Sequence, residues 1–570
     1  MNNNNSLFVQ EYLSSLKEDS ELDHLFPLLL RSMGYKIVRT PKEAKGQNQY
    51  GKDVIAIGPD ETGIVYKWYF ELKGYVDKDI TEENFHKKDG ILESLREAKF
   101  VDYEDLSIPK LQELPTKIVL VHNGIVKPNF LLTFNGFIKK ELGDCNFERW
   151  DIYKLSELFS TYLFGEYLLT DLQSNLLLKK TFAFWDIEDY DFKHFKELIA
   201  LQFTNNTKNS GRSLKKLFAA IGLLNTLIFH YSKENGNLNP AKECSKYLVI
   251  TTWHWILKSN LAKRKAVIHE FKKILKGHYD IMNEYFKKTF EVAKIPNGLY
   301  ADNGGFFEKI GYPIRCFEYL SDIVYYCRLR ICLFPGKGDI NLINKQKDYL
   351  IELVENNNGF YRPILDNNSI PIIQLFIFFA DKKSLRKKDV EFIHSYIFQI
   401  VQNLKIEKIR HHILPELHNN TELVIEAVAL GERPEGYCDS SSILIAILLE
   451  LSVVFNAEEL FKEILSIVDE KLSLQIASID FTEYNVEELL FEKNLHEEYY
   501  VDCIERVQDG LKLLKNEGNF EEFKNIVKEK IEEPPAFFTD SVGLSCIRYL
   551  AHSYYKNEIL PYEWRQLIKK

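Results

Sequence analysis

The sequence predicts an α/β N-terminal domain, in which helices flank a mixed sheet, followed by a large all-α domain. Up to about residue 165, strand-like and helix-like segments alternate, and from about residue 175 apolar residues recur mostly at helical spacing. Gly and Pro are sparse, at 27 and 17 of 570 residues, which disfavours a turn-rich all-β fold. We therefore expect domains at 1–170 and 171–570, with the second open to further subdivision.

The elements of the first domain follow from local patterns. A helix over "ELDHLFPLLLRSM" ends at Gly34, a typical C-cap residue. Strands are predicted at "YKIVRT", "DVIAIG" and "IVYKWYFELKG", and the turn residues "PDETG" join the last two as a hairpin. Beyond the hairpin, helices and strands alternate in the order "DGILESLREAKF", "TKIVLVHNG", "NFLLTFNGFIKKEL", "NFERWDIY" and "KLSELFSTYLFGEYLL".

The second domain is predicted from segments such as "SLKKLFAAIGLLNTLIFHY", "CSKYLVITTWHWILKSNL" and "DCIERVQDGLKLLKN". No fixed-length repeat recurs among them, so a solenoid of identical helical repeats is not predicted. Within "TWHWIL", His254 stands between two tryptophans, and we interpret it as a hydrogen-bonded histidine of an aromatic core.

Composition narrows the class of protein. The formal net charge of -10 and pI near 5.9 argue against binding nucleic acid over the whole surface, although a local basic patch remains compatible. The start "MNNNNSLFVQ" does not resemble a signal peptide, and "IIQLFIFFA" and "ILIAILL" are too short for a membrane span. The chain has eight cysteines but no CxxC pair, so no cysteine zinc site is predicted. It has no Walker A motif, so no ATPase is predicted. We expect a cytoplasmic protein that does not bind membranes.

The candidate site lies in "NQYGKDVIAIGPDETGIVYKWYFELKGY". Residues two apart on a strand share a face, so Glu71 and Lys73 project together with Lys67 and Tyr69. Asp53 begins the preceding strand, and pairing of the two strands could bring its carboxylate near Glu71. Two carboxylates a few ångströms apart suit Mg²⁺, and a neighbouring lysine could orient or deprotonate water or offset charge on a phosphodiester.

These residues resemble the PD-(D/E)xK, or restriction-endonuclease-like, nucleases, particularly the branch of Mrr-type enzymes and archaeal Holliday-junction resolvases. Asp53 followed by Glu71-Leu72-Lys73 matches the core of that motif, and "QYGKD" matches the approach to its aspartate. The helix "LDHLFPLLLRSMGY" places Asp23 where the family often has Glu. "FERWDIYKLSELF" is similar to the end of nuclease modules in bacterial anti-phage effectors. The resemblance covers about residues 15–165.

The resemblance implies a Mg²⁺-dependent endonuclease, with Mn²⁺ as an alternative ion, that cleaves DNA and acts in anti-phage defence. It implies that Asp53 and Glu71 bind metal, that Lys73 assists the attacking water, and that Asp23 is an auxiliary ligand. Lys67 and Tyr69 are then candidate phosphate contacts. The helical domain is expected to sense a trigger, form a homo-oligomer or dock a partner ATPase or sensor protein.

Two alternatives stay open. A bare ExK sequence on a strand is also typical of a solvated face, so the chain could be a helical interaction scaffold with a catalytically degenerate nuclease domain. The substrate could also be RNA, although DNA is favoured because most relatives with this framework cut DNA.

Overall fold

The computed structural model divides the chain into two compact units, Met1–Leu248 and Val249–Lys570. The residues that the structure describes are 3–40, 50–74, 77–88, 90–105, 108–143, 146–163, 171–187, 190–206, 211–300, 307–335, 339–411, 413–415, 419–437, 442–467, 486–492, 520–529 and 537–556.

A mixed sheet forms the centre of the first unit, and all of the strands predicted from the sequence are present. Its strands among the described residues are β1 Lys36–Arg39, β2 Val54–Pro59, β3 Val65–Lys73, β4 Thr116–His122 and β5 Asn146–Trp150. These five strands lie side by side in the order β1-β2-β3-β4-β5. The β1–β2 and β2–β3 pairs are antiparallel, whereas β3–β4 and β4–β5 are parallel.

Turn residues set the entry to this sheet as the sequence predicts. Gly34 follows the helix before β1 with φ +87, a left-handed conformation that glycine adopts without strain. In the hairpin, the Asp60 carboxylate accepts hydrogen bonds from the backbone N–H groups of Thr62 and Ile64. Gly63 has φ +88, so the hairpin also uses a residue suited to that conformation.

Helices cover both faces of the sheet. On one face Phe85, Leu95 and Phe134 pack on a core that includes Tyr69, and on the other Phe26 packs against β3. Parallel neighbours need a crossover connection, and the helices between β3, β4 and β5 provide it. The helices of this unit are α1 Asn3–Ser15, α2 Asp23–Ser32, α3 Glu82–His86, α4 Ile91–Phe100, α5 Leu131–Glu141, α6 Ile152–Tyr162, α7 Leu172–Ala183, α8 Lys193–Asn205, α9 Gly211–Glu234 and the first part of α10 Asn239–Lys258.

The regular elements described in the second unit are helices, as the periodicity predicts. Within it the helix Ser369–Phe379 is strongly apolar and buried along almost its whole length. The buried Lys347 ammonium is satisfied by the Phe379 carbonyl at 2.9 Å and by Asp389. The further helices are α11 Lys265–Ala293, α12 Tyr312–Leu333, α13 Asp339–Glu355, α14 Ser369–Phe379, α15 Lys387–His411, α16 Thr421–Leu430, α17 Ile443–Val454, α18 Glu458–Ile467, α19 Val486–Leu489, α20 Phe520–Glu529, α21 Phe538–Ser541 and α22 Cys546–Tyr555.

The organisation therefore follows the predicted order of an α/β part and then an all-α part. The predicted boundary at residue 170 falls at the end of 164–170, which lie outside the described residues, and the helices up to Leu248 belong to the same compact unit as the sheet. The helix predicted at "DCIERVQDGLKLLKN" also lies outside the described residues. Among the residues that the structure covers, no helix combines the length and the apolar character needed to cross a membrane.

Candidate functional site

Strand β3 separates polar from apolar side chains as its alternation predicts. Trp68 and Phe70 stack with ring centroids 5.8 Å apart, and Phe70 also contacts Trp150 at 5.4 Å. Glu71 and Lys73 project from the opposite face, at the carboxyl end of the strand. Both faces of β3 are covered, so the two charged side chains sit at the edge of a packed interior, with Glu71 only 3% exposed.

Asp53 is held next to Glu71 by the backbone of β3. Its N–H donates to the Phe70 carbonyl at 2.9 Å, and its carboxylate accepts the Leu72 N–H at 2.7 Å. Since Val54 pairs with Phe70 in the ladder, continuing the register by one residue places Asp53 opposite Glu71. The backbone of β3 therefore fixes both the main chain and the carboxylate of Asp53. The two bonds continue the hydrogen-bonding pattern of the hairpin.

Lys73 is ion-paired with Glu71, with the ammonium nitrogen 2.8 Å from Oε1. Burial by itself lowers the pKa of Lys73, but the surrounding carboxylates, Glu71 first, outweigh burial and raise this pKa above its ordinary value. The lysine is therefore a cation in this arrangement and acts as a hydrogen-bond donor.

Glu18 is a further member of the site that the sequence patterns do not single out. Its Oε1 lies 3.5 Å from the Lys73 ammonium nitrogen, and its Oε2 accepts the Gly74 N–H at 3.2 Å. A Cβ on Gly74 would lie 2.9 Å from the Glu18 nitrogen, so glycine is needed for this close approach. Glu18 begins a short π-helical turn, Glu18–Leu22, whose position depends on the fold.

Asp23, predicted as an auxiliary ligand, begins α2 directly after this π-helical turn. One π-helical turn earlier in the same segment, Glu18 has its Oε1 3.5 Å from the Lys73 ammonium nitrogen. The assignment of Asp23 to the metal stays a prediction, and Glu18 is the better placed candidate for an acidic partner from this segment.

The charges of the site fit a divalent cation. Burial, and then the neighbouring Glu71, raise the pKa of Asp53 well above its usual range, while Lys73 lowers it. Three acidic side chains, Glu18, Asp53 and Glu71, thus interact with one lysine here, and carboxylate oxygens are the ligands that Mg²⁺ prefers. Among the described residues these three do not form a group whose ligand atoms all lie within 4.8 Å of one another. The assignment of Asp53 and Glu71 as the pair of metal ligands stays a prediction.

Lys67 and Tyr69 occupy the same face of β3 but point into the protein. Both are 1% exposed, and both donate to Oδ1 of Asp102, with the Lys67 nitrogen 2.7 Å from that oxygen. Burial, and then the bond to Asp102, raise the pKa of Tyr69, so its hydroxyl stays protonated. This network connects β3 to the chain after α4. Phosphate binding by the two residues stays a prediction, and the geometry gives them a structural role.

Lys52, directly before Asp53, is a second residue that the sequence reading did not assign to the site. It is 2% exposed, its ammonium group donates to the Tyr50 carbonyl at 2.8 Å, and it lies 5.0 Å from the centroid of the Tyr69 ring. Burial lowers the pKa of Lys52 to about 8, and Asp102 opposes that shift. A lysine in the sequence carries no sign of burial, so this environment became visible only in the fold.

Comparison with protein-family models, curated proteins and solved structures finds no match for this chain.

Proposed function

We propose that the chain is a Mg²⁺-dependent endonuclease of the restriction-endonuclease-like type that cleaves DNA. The observation that carries the proposal is the convergence of Asp53 with the buried Glu71–Lys73 ion pair at the end of one hairpin. A surface strand with ordinary charges does not bury a glutamate to 3% exposure or fix an aspartate beside it through a backbone N–H.

In this proposal Asp53 and Glu71 bind Mg²⁺ or Mn²⁺, which when bound activates water and neutralises charge on the phosphodiester. Lys73 stays protonated because its pKa is raised, so it orients the water or offsets negative charge on the phosphate rather than removing a proton. Glu18, whose Oε1 lies 3.5 Å from the Lys73 ammonium nitrogen, helps to hold Lys73 in place. Each role follows from a contact at the end of β3, and none requires Lys67 or Tyr69.

The wider role is proposed on the resemblance. The protein would be a cytoplasmic effector of anti-phage defence, and its helical unit would sense a trigger, bind a second copy of the chain or dock a partner ATPase or sensor. The charge of -10 is compatible with a nuclease whose substrate contacts are confined to a small part of its surface.

The test is cleavage of supercoiled plasmid DNA and of RNA, in parallel, by the purified full chain with Mg²⁺ or Mn²⁺. Glu71→Gln and Lys73→Met should each reduce the rate by at least about 100-fold, within the ~10²–10⁴-fold range of positioned catalytic groups. Glu61→Gln is a matched control, because Glu61 lies on the same hairpin but its side chain is 94% exposed.

The possible outcomes separate the alternatives. Cleavage of RNA and not DNA would make the chain an RNA nuclease with the same centre. If the wild-type chain, alone and with its neighbouring gene products, cuts neither nucleic acid with either ion, the proposal is wrong and a helical scaffold with a degenerate nuclease domain replaces it.

A further inference from the structure

The helical unit contains its own group of metal-type ligands, unrelated to the nuclease motif. His254 lies on α10, Glu488 on α19, and Glu492 just after α19. Each offers one ligand atom, and these atoms all lie within 4.8 Å of one another. Of the histidine, cysteine, aspartate and glutamate side chains that the structure describes, these three form the one group that meets this spacing.

His254 is expected to belong to an aromatic core, but the residue that belongs to this core is its neighbour Trp253. Trp253 is 0% exposed and packs on Phe271 with ring centroids 5.2 Å apart. The His254 side chain is 18% exposed and faces Glu492. Because Trp253 fixes this part of α10 in the core, the imidazole is presented to the carboxylates on a rigid element.

The distance between the imidazole and Glu492 does not correspond to a hydrogen bond. His254 Nε2 lies 3.6 Å from Glu492 Oε1, and this buried nitrogen has no hydrogen-bond partner among the described residues. Two ligands on one tetrahedral ion, with bonds of ~2.0–2.2 Å, stand about 3.3–3.6 Å apart. The observed separation is therefore the one that two ligands of a shared ion would have.

The glutamates are also held in place. Phe491 and Glu492 donate their N–H groups to the carbonyls of Glu488 and Leu489, each at 3.1 Å, so the turn continues past α19. Leu489, Leu490 and Phe491 are buried and anchor it. Glu488 and Glu492 stand at the two ends of this hydrogen-bonded turn, and a ligand oxygen of each lies within 4.8 Å of a ring nitrogen of His254.

Lys258 is the group that competes for this space. It lies one turn after His254, and its ammonium nitrogen is 3.0 Å from Glu492 Oε1. Its side chain is 52% exposed, so it can turn into solvent when another cation takes Glu492.

We propose that His254, Glu488 and Glu492 bind a divalent transition-metal ion of the Zn²⁺ class. One imidazole with two carboxylates suits Zn²⁺, whereas Mg²⁺ takes oxygen ligands. The ion would join α10 to the turn at 486–492 and would be independent of the ion proposed at Asp53 and Glu71.

The test uses the full chain carrying Asp53→Asn and Glu71→Gln, so that the proposed nuclease centre contributes no binding. After dialysis against a chelator, Zn²⁺ is titrated by calorimetry and Co²⁺ by its visible absorption. We expect one equivalent, not displaced by excess Mg²⁺. His254→Gln and Glu492→Gln should weaken binding by more than about 100-fold, above the ~10–100-fold cost of losing an outer partner.

His230→Gln is the matched control, because His230 also faces a glutamate, Glu234 at 3.0 Å, outside the cluster. Circular dichroism shows whether each variant folds, and Zn²⁺ should raise the Tm of the parent and of His230→Gln but not of His254→Gln. The proposal is overturned if the parent binds no Zn²⁺ equivalent, or if His254→Gln and Glu492→Gln both bind Zn²⁺ as the parent does. Loss of the equivalent in His230→Gln would equally overturn it.

Discussion

Two clusters of carboxylates in this chain each include a lysine, and the surroundings give the two lysines different roles. In the sheet, Lys73 is 16% exposed and Glu71 4% exposed by side chain, at 2.8 Å. In the helical unit, Lys258 is 52% exposed and pairs with Glu492 at 3.0 Å. Charge is costly to leave unpaired in a buried site and cheap to leave unpaired in water. We therefore expect Lys73 to be indispensable to its cluster and Lys258 to be replaceable by an ion.

Replacing each lysine by methionine should give the largest difference in stability between the two clusters. Lys73→Met should lower the free energy of unfolding by about 3–5 kcal/mol, because it leaves the buried Glu71 without its partner. Denaturant unfolding of the metal-free chain measures this. A loss below about 1 kcal/mol would show that Glu71 is already hydrated, and the contrast with Lys258 would then disappear.

The next largest change in stability is expected for Asp53→Asn, which should stabilise the chain rather than destabilise it. Its pKa is raised in the folded protein, so keeping it ionised at neutral pH costs free energy of folding. Asp53→Asn keeps an oxygen that can accept the Leu72 N–H and removes the charge. We expect it to raise the stability of the metal-free chain by roughly 0.5–2 kcal/mol while abolishing divalent-ion binding and cleavage.

The pH dependence follows from the direction of that shift. The gain in Asp53→Asn should be fully present above the folded pKa of Asp53 and should vanish as the pH falls towards the ordinary aspartate value of 3.8. Unfolding measured from pH 4 to pH 8 in wild type and variant tests this. A gain that stays constant across that range would mean that the cost of ionising Asp53, through its burial and then the neighbouring Glu71, is not its cause.

Much of the first cluster could be predicted because strand geometry is local. Alternation places Glu71 and Lys73 on one face, and hairpin pairing places Asp53 opposite Glu71, both of which are readable from a short stretch. Glu18 could not be predicted in this way. Its contact with Lys73 depends on where a π-helical turn is packed against the sheet, and no periodicity in the sequence encodes that.

The burial of Lys67 shows a second limit to what the sequence pattern can predict. The pattern correctly places Lys67 and Tyr69 on the face of Glu71, but it does not show that α4 and the following Asp102 enclose that part of the face. The helical cluster was further from prediction, because His254 and Glu488 are distant in sequence and meet only through tertiary packing. Helix periodicity predicts which face is buried, but not which helix covers it.

Replacing Glu18 should have a smaller effect on stability. It tests which acidic residue supports metal binding by the cluster around Lys73. Glu18→Gln keeps an acceptor for Gly74 but removes a charge beside Lys73, and the pair is long at 3.5 Å. We expect a stability loss of about 1 kcal/mol or less and a roughly 10-fold weaker affinity for Mn²⁺, measured by calorimetry. Asp23→Asn is the comparison. If it weakens Mn²⁺ binding and Glu18→Gln does not, the auxiliary acidic residue is Asp23, as the family resemblance implies.

Lys258→Met should have the smallest effect on stability. It should strengthen metal binding, whereas Glu18→Gln should weaken it. The exposed pair with Glu492 contributes less than about 1 kcal/mol, so unfolding should change little. Since Lys258 and the proposed ion compete for the same carboxylate oxygen, removing the lysine should tighten Zn²⁺ binding by up to about five-fold, the equivalent of ~1 kcal/mol. The exposed Lys265, on α11, provides the control Lys265→Met, which should leave Zn²⁺ affinity unchanged. Weaker binding in Lys258→Met would mean that the lysine positions Glu492 for the ion, and the two lysines would then play the same structural part.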